Sequence, residues 1–275
     1  MFPVILAILA PAETPVPVLV KLTIALIAIL YVFTPLYALI FQKQRARMTA
    51  TAMPSFDVMR QMDADSTDML QGMANQMAGL GFAVGQPLRI PTSDTGVGYA
   101  VLGEAPNGDV AESYVLTRPN KDGIARHDWT NFHSHTRNVA RTVTSNTTLS
   151  SGIAPRAGHN SFSARGVKDL GRLYGLHEVR VRDSGGRRRQ SPPLGDHATF
   201  VESEAAAGTD NMVARGYSRR SGPSGETLRL TPKGAFLIAW RQLPPWTNVA
   251  AAKAERTIAE LEARVPRTAP LARSA

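Results

Sequence analysis

Gly98–Thr117 reads GYAVLGEAPNGDVAESYVLT, two largely apolar runs joined by Ala105-Pro106-Asn107-Gly108-Asp109. Asn and Gly both tolerate positive φ, so an Asn-Gly pair between such runs predicts a β-hairpin with strands over Gly98–Glu104 and Val110–Thr117. Toward the C-terminus, Pro119-Asn120-Lys121-Asp122-Gly123 repeats the turn chemistry. Arg137-Asn138 supplies a third turn, which separates strands over Ile124–Thr136 and Val139–Thr148. Phe82–Ile90 adds a strand on the other side, so the expectation is an antiparallel meander of about five strands.

Before the meander, Met69, Leu70, Met73, Met77 and Leu80 recur at spacings of three and four, one stripe of a helix. Ser66 is the expected N-cap, and Gly79 and Gly81 provide the stop. A stripe at helical period is what a core-facing helix needs, so these methionines are read as packing and not as a soft-metal surface. The helix is expected to cover one face of the sheet. Because helices and hairpin-linked strands are segregated in the sequence, the fold class is α+β.

Further upstream, Leu22–Phe41 (LTIALIAILYVFTPLYALIF) carries no charge. At helical rise it spans about 30 Å, one bilayer core, and predicts a transmembrane helix within residues 17–41. Pro35 predicts a kink. Lys43, Arg45 and Arg47 follow the segment with no acid before Asp57, whereas only Lys21, Glu13 and the amino terminus precede it. Positive residues are retained on the cytoplasmic side, so the expected localisation is the inner membrane, N-terminus outside and C-terminal body in the cytoplasm. Lys21 can snorkel to the headgroups. Residues 1–16 are read as an apolar extension, since Phe2–Ala10 is too short to span and lacks the basic start of an export signal. Residues 42–54 form a basic juxtamembrane connector, and residues 55–182 the α+β domain.

Gly158–Ser163 is expected to open another helical stretch, in which Val167, Leu170, Leu173, Tyr174 and His177 share a stripe. Residues 183–193 contain Ser184-Gly185-Gly186, Arg187-Arg188-Arg189 and Pro192-Pro193, the composition of a linker. Residues 194–265 follow as a second region, with a short helix over Asp196–Ala207 and a last helix over Ala250–Val265. Residues 266–275 form a disordered tail. Between them, Met212–Tyr217 leads through a basic Gly/Ser/Pro turn to Thr227-Leu228-Arg229-Leu230-Thr231-Pro232-Lys233-Gly234 and a helix over Ala235–Leu243. Thr231 as cap and Pro232 at the first helical position suit a helix start.

Residues 212–243 resemble the wing and closing helix of winged-helix proteins, a likeness that implies a hairpin able to contact DNA. The recognition helix such proteins need falls on Phe200–Ala207, which carries Glu202 and Glu204 and repels phosphate. The anchor, compact body and Lys-Gly-Ala-Phe-Leu-Ile-Ala-Trp helix together resemble bacterial single-pass membrane-anchored proteins without assigned activity. That second likeness therefore implies no reaction.

The chain has 275 residues, a formal charge of +9 and no cysteine. Disulfides, thiolate nucleophiles and Cys-based metal sites are excluded. The positive charge suits a body beside an anionic leaflet, each nearby basic residue adding roughly 1 kcal/mol, or else nucleic acid. Arg187, Arg188, Arg189, Arg219 and Arg220 are the candidate polyanion contacts, with solvated loops the plainer reading. His133 and His135 share a strand face, and His127 has the same parity, so zinc can be imagined there. No carboxylate stands at matching parity along that strand, and no metal or other cofactor is expected. Thr142–Thr148 lacks a base for a hydroxyl nucleophile. His159, His177 and His197 look isolated and structural.

The expected function is therefore a non-enzymatic interaction or scaffold protein at the membrane surface. Its partners would be the lipid bilayer and a protein or a second copy of the chain. A membrane-tethered nucleic-acid binder using the 212–243 hairpin and a metal-dependent hydrolase are the alternatives.

Overall fold

The computed structural model describes residues 18–41, 43–92, 96–121, 123–136, 139, 141–147, 158–185 and 195–266. The expected N-terminal extension, the Arg137-Asn138 turn, Arg187, Arg188, Arg189 and most of the final tail lie outside them. Within these residues the fold is mixed α+β, with seven helices and a predominantly antiparallel sheet.

Helix α1 (Val18–Phe41) is the apolar segment, with Pro35 inside it. It leads directly into strand β1 (Lys43–Arg45) and then β2 (Thr51–Ala52), so the juxtamembrane connector contributes strands to two sheets. Helices α2 (Phe56–Met62) and α3 (Ala64–Gly79) meet at Asp63. The cap of α3 is Asp63 and not Ser66. Extended at φ −156°, Asp63 accepts from Ser66 N at 3.1 Å and Ser66 Oγ at 2.7 Å, while its own N–H closes α2 on Met59 O. Arg126 donates to the same carboxylate at 3.0 Å and ties the helix to the sheet.

The large sheet contains β2, β3 (Ala83–Val84), β4 (Leu88–Pro91), β5 (Val97–Glu104), β6 (Val110–Asn120), β7 (Gly123–Ser134), β8 (Arg141–Ser145) and β9 (His159–Ser163). Its order is β2-β4-β5-β6-β7-β8-β9, with β3 also on β5. The expected Phe82–Ile90 strand is broken into β3 and β4 around Gly85-Gln86-Pro87, where Pro87 offers no N–H to the ladder. In the β5–β6 turn Gly108 alone takes positive φ, at 82°, and Asn107 instead accepts from Asp109 N through Oδ1 at 3.0 Å. The expected helical start at Gly158–Ser163 is overturned: His159–Ser163 is β9, paired parallel to β8 from Arg141↔His159 to Ser145↔Ser163. Its residues alternate across the sheet, and Phe162 reaches the core.

Helix α4 (Leu170–Asp183) then packs with α3 on one face of the sheet. Phe132, Met77, Val101, Val115, Leu173 and Leu176 are fully buried there. Methionine, unbranched and adaptable, fills this layer at Met59, Met73 and Met77. On the opposite face, Val201 of α5 (His197–Ala214) packs against Leu88, Ile90, Ala100 and Leu102. A small three-stranded sheet, β1-β11-β10, is built from β10 (Ser218–Ser221), β11 (Thr227–Leu230) and the connector strand. Helix α6 (Pro232–Gln242) starts at the Thr231 cap, whose Oγ1 accepts from Gly234 N at 3.1 Å. Helix α7 (Trp246–Glu262) returns to the body, burying Ile258 and Leu261 in the main core.

Candidate functional site

The β5–β6 turn, the end of β7, strand β8 and the middle of α4 bring five polar side chains together inside the core. Asp109, Ser134, Thr144 and His177 are fully buried, and Arg180 nearly so. Arg180 Nη1 donates to Thr144 Oγ1 at 2.8 Å, and Thr144 Oγ1 lies 3.0 Å from His177 Nδ1. His177 Nε2 lies 2.8 Å from Ser134 Oγ, which in turn donates to Asp109. Tyr174 OH donates to the other carboxylate oxygen at 2.8 Å, and Asn107 Nδ2 donates to it at 3.1 Å. Since a guanidinium can only donate, Thr144 Oγ1 accepts from Arg180 and keeps its own hydrogen to give, while the roles of the two His177 nitrogens follow from the tautomer.

A serine nucleophile must give its proton to the imidazole, whereas Ser134 donates to Asp109. The group is a buried hydrogen-bonded network that satisfies buried polar atoms and ties α4 to the sheet. Burial pulls the Arg180 guanidinium down to about 10, partly offset by Asp183. It remains charged at neutral pH, held by Val143 O, Asn160 O and Asn160 Oδ1 and lying over the Phe162 ring. Burial and then the Asp109 charge push the Tyr174 hydroxyl upward. Beside this network a cleft of about 430 Å³ is lined by Asn107, Tyr174, Glu178, Arg182 and Val265.

A second cluster occupies the α5 face. His133 Nε2 lies 3.0 Å from Glu112 Oε2, both side chains less than a tenth exposed, at ion-pair distance but without hydrogen-bond alignment. Tyr114 OH and Asn131 Nδ2 donate to the same oxygen at 3.2 Å and 3.3 Å. Arg141 Nη1 pairs with Glu204 of α5 at 2.6 Å, with its guanidinium over Phe200. Burial raises the Glu112 carboxyl, but His133, Asn131 and Arg141 outweigh it and hold the group below its ordinary value of 4.5. Among the described residues, Glu112 Oε1, His133 Nδ1 and Arg141 Nε find no hydrogen-bond partner. Phe200 and Glu204 close over the cluster, so the carboxylate–imidazole pair stays enclosed.

The missing carboxylate of the sequence reading is therefore present on the next strand. Val110 pairs with His133 and Glu112 with Asn131, which puts Glu112 diagonal to His133 on one face. The three histidines do not converge. His127, exposed, is six residues from His133 along β7, about 20 Å at strand rise, and His135 lies past the strand end. Among the described residues no group of three His, Asp or Glu is arranged to hold a metal. His177, which looks isolated in sequence, touches Ser134 and Thr144.

The basic candidates are dispersed. Lys21 is in the first turn of α1, Lys43 and Arg45 are in β1, and Arg47 is exposed just after it. Arg220 is paired with Asp210 at 2.5 Å, and Arg219 is exposed beside it on β10. Comparison with protein-family models, with curated proteins and with solved structures gives no match to this chain.

Proposed function

We propose that this chain is a single-pass inner-membrane protein that holds a non-enzymatic α+β interaction module at the cytoplasmic surface. The observation that carries this reading is helix α1. Its Val20–Ile40 segment has a mean hydropathy of 2.2, yet only 6% of its most apolar stretch is buried in the fold. A core helix of a soluble protein would be covered; this one leaves Leu26, Ile29, Phe33 and Ile40 exposed and needs a lipid solvent. Lys43, Arg45 and Arg47 on the body side favour a cytoplasmic body. Ser134 donating to Asp109 rather than to an imidazole base, and the capped Glu112–His133 pair, support a binding role over a hydrolytic one. A protein partner or a second copy of the chain is the expected ligand beyond lipid.

Because the chain has no cysteine, single substitutions report topology without background. Ser224→Cys, in the β10–β11 turn, is expected to resist a membrane-impermeant maleimide in intact cells and to react after lysis. Labelling in intact cells would overturn the orientation. Release of the full chain into the aqueous phase by alkaline carbonate would overturn the anchor.

A further inference from the structure

Helix α6 runs back along α1 instead of away from it. Ala235 packs near Ala38 and Leu39, and the Trp240 ring meets the Tyr31 ring edge-on at 5.3 Å. The Tyr31 hydroxyl donates to the carbonyl of Pro244. Tyr31 lies ten residues before Phe41, about 15 Å along the helix axis, which is half a bilayer core. A side chain touching Tyr31 therefore sits far below the surface on which the body rests.

We propose that the α6–α7 corner is a re-entrant hairpin, inserted beside α1 into the leaflet on the body side, with lipid acyl chains as its occupant. This rests on the membrane reading of α1. Residues 235–252, AFLIAWRQLPPWTNVAAA, contain a single formal charge, Arg241. Phe236, Trp240, Trp246 and Val249 are 47%, 38%, 42% and 57% exposed, a patch continuous with the bare apolar surface of α1. Phe236, Trp240 and Trp246 stack in series at 5.6 Å and 5.5 Å.

Irregular backbone is tolerated at membrane depth only where its polar groups are satisfied. The corner meets much of this demand at its turn. Pro244 and Pro245 carry no N–H, Leu243 O accepts from Trp246 N at 3.1 Å and Thr247 N at 3.4 Å, and Pro244 O is taken by Tyr31. Val249 N returns to Pro245 O at 3.0 Å. Arg241 is costly at depth, and an arginine stem is long enough to carry its charge toward the headgroups. That one charge limits the hairpin to entering the leaflet without crossing it. Lys233, over the Tyr217 ring at 5.0 Å, stands at the start of α6 on the body side.

The chain has three tryptophans, and the third, Trp129, stacks on Tyr114 of the sheet. In the full-length Trp129→Phe variant, emission therefore comes from the corner alone. Reconstituted into phosphatidylcholine–phosphatidylglycerol vesicles with acyl chains brominated near mid-chain, it is expected to lose about half its emission, as aromatic residues in contact with lipid should. Aqueous iodide should leave it unchanged. Quenching by iodide but not by bromolipid, with the protein resistant to carbonate, overturns the hairpin and spares the anchor. Quenching by neither means that protein, such as a second copy, covers the corner, and also overturns it. Carbonate release from the vesicles overturns the anchor itself, and the hairpin with it. Val249→Cys with a polarity-sensitive fluorophore, on the chain retaining Trp129, reads the same environment if Trp129→Phe does not fold.

Discussion

Ser134→Ala isolates the internal network. The hydroxyl is fully buried and bridges His177 Nε2, at 2.8 Å, to Asp109. Removing it takes one partner from each neighbour. A buried polar group deprived of its partner costs about 1–3 kcal/mol, and a charged one more. Asp109 keeps Tyr174 and Asn107 and His177 keeps Thr144, so the two partial losses sum to roughly 2–3 kcal/mol, a fifth or more of an ordinary domain's stability. Urea unfolding of the detergent-solubilised full chain, followed by circular dichroism, reads the loss as a lowered midpoint at unchanged slope. Combining Ser134→Ala with His177→Leu should cost less than the sum of the two, because both changes remove the same Ser134–His177 contact. A Ser134→Ala loss within about 0.5 kcal/mol, the range of an indifferent surface change, would refute the network. So would a stable variant that had lost a hydrolytic activity, since that is the behaviour of a nucleophile.

The other perturbations test separate parts of the molecule. Gly234→Ala is expected to destabilise the small sheet and α6 by about 3 kcal/mol, near the top of the usual overpacking range. A Cβ there would stand 1.9 Å from Tyr217 O, a backbone atom that cannot rotate away. Thermal melting is the check, and a neutral result would mean that α6 does not start against Tyr217. For pH, Glu112 and Asp63 are both held below their ordinary values of 4.5 and 3.8. For Asp63 the burial penalty is overcome by bonds from Ser66 and Arg126. The unfolded chain binds more protons in that window, so these groups stabilise the fold fully above about pH 4.5 and lose their contribution as pH falls through the folded values. Melting temperature against pH should therefore fall on the acid side, less steeply in Glu112→Gln; an unchanged slope would count against the buried pair.

How much of this was legible in the sequence depends on the distance over which each signal acts. Asn107-Gly108 and Thr231-Pro232 announce a turn and a helix start through their own backbone preferences, and both elements form where those preferences point. The break between β3 and β4 is also local, since Pro87 has no donor. Strand β9 is not legible this way. Its partner β8 is parallel and not joined to it by a hairpin, so the Gly158 turn before His-Asn-Ser-Phe-Ser does not announce a ladder. The polar clusters fail for the same reason in stronger form. Asp109 reads as a turn residue, Ser134 as a strand end and His177 as a lone histidine, and only tertiary packing makes them one chain of hydrogen bonds. Glu112 could be found by counting register from the Asn120↔Gly123 turn back to Asn131.

The connector shows what such tertiary pairing does for the proposed role. A basic run after a span reads as a loose tether, and a flexible tether of n residues would let its cargo wander about 5–6 Å × √n. Here β1 begins two residues after α1 ends and pairs with β11 from Lys43↔Arg229 to Arg45↔Thr227. Strand β11 continues into α6, and α6 returns to α1 through Ala235 and Trp240. The path α1–β1–β11–α6 is thus closed on itself, and a body joined through it can pivot only by breaking the β1 ladder or parting Trp240 from Tyr31. Helix α7 extends that constraint into the main core through Ile258 and Leu261, with Arg172–Glu262 and Arg264–Asp183 at its edge. On the membrane reading, the large sheet is therefore held at a set height and tilt. A fixed presentation of one surface suits an interaction module better than the free search that a tethered catalyst would use.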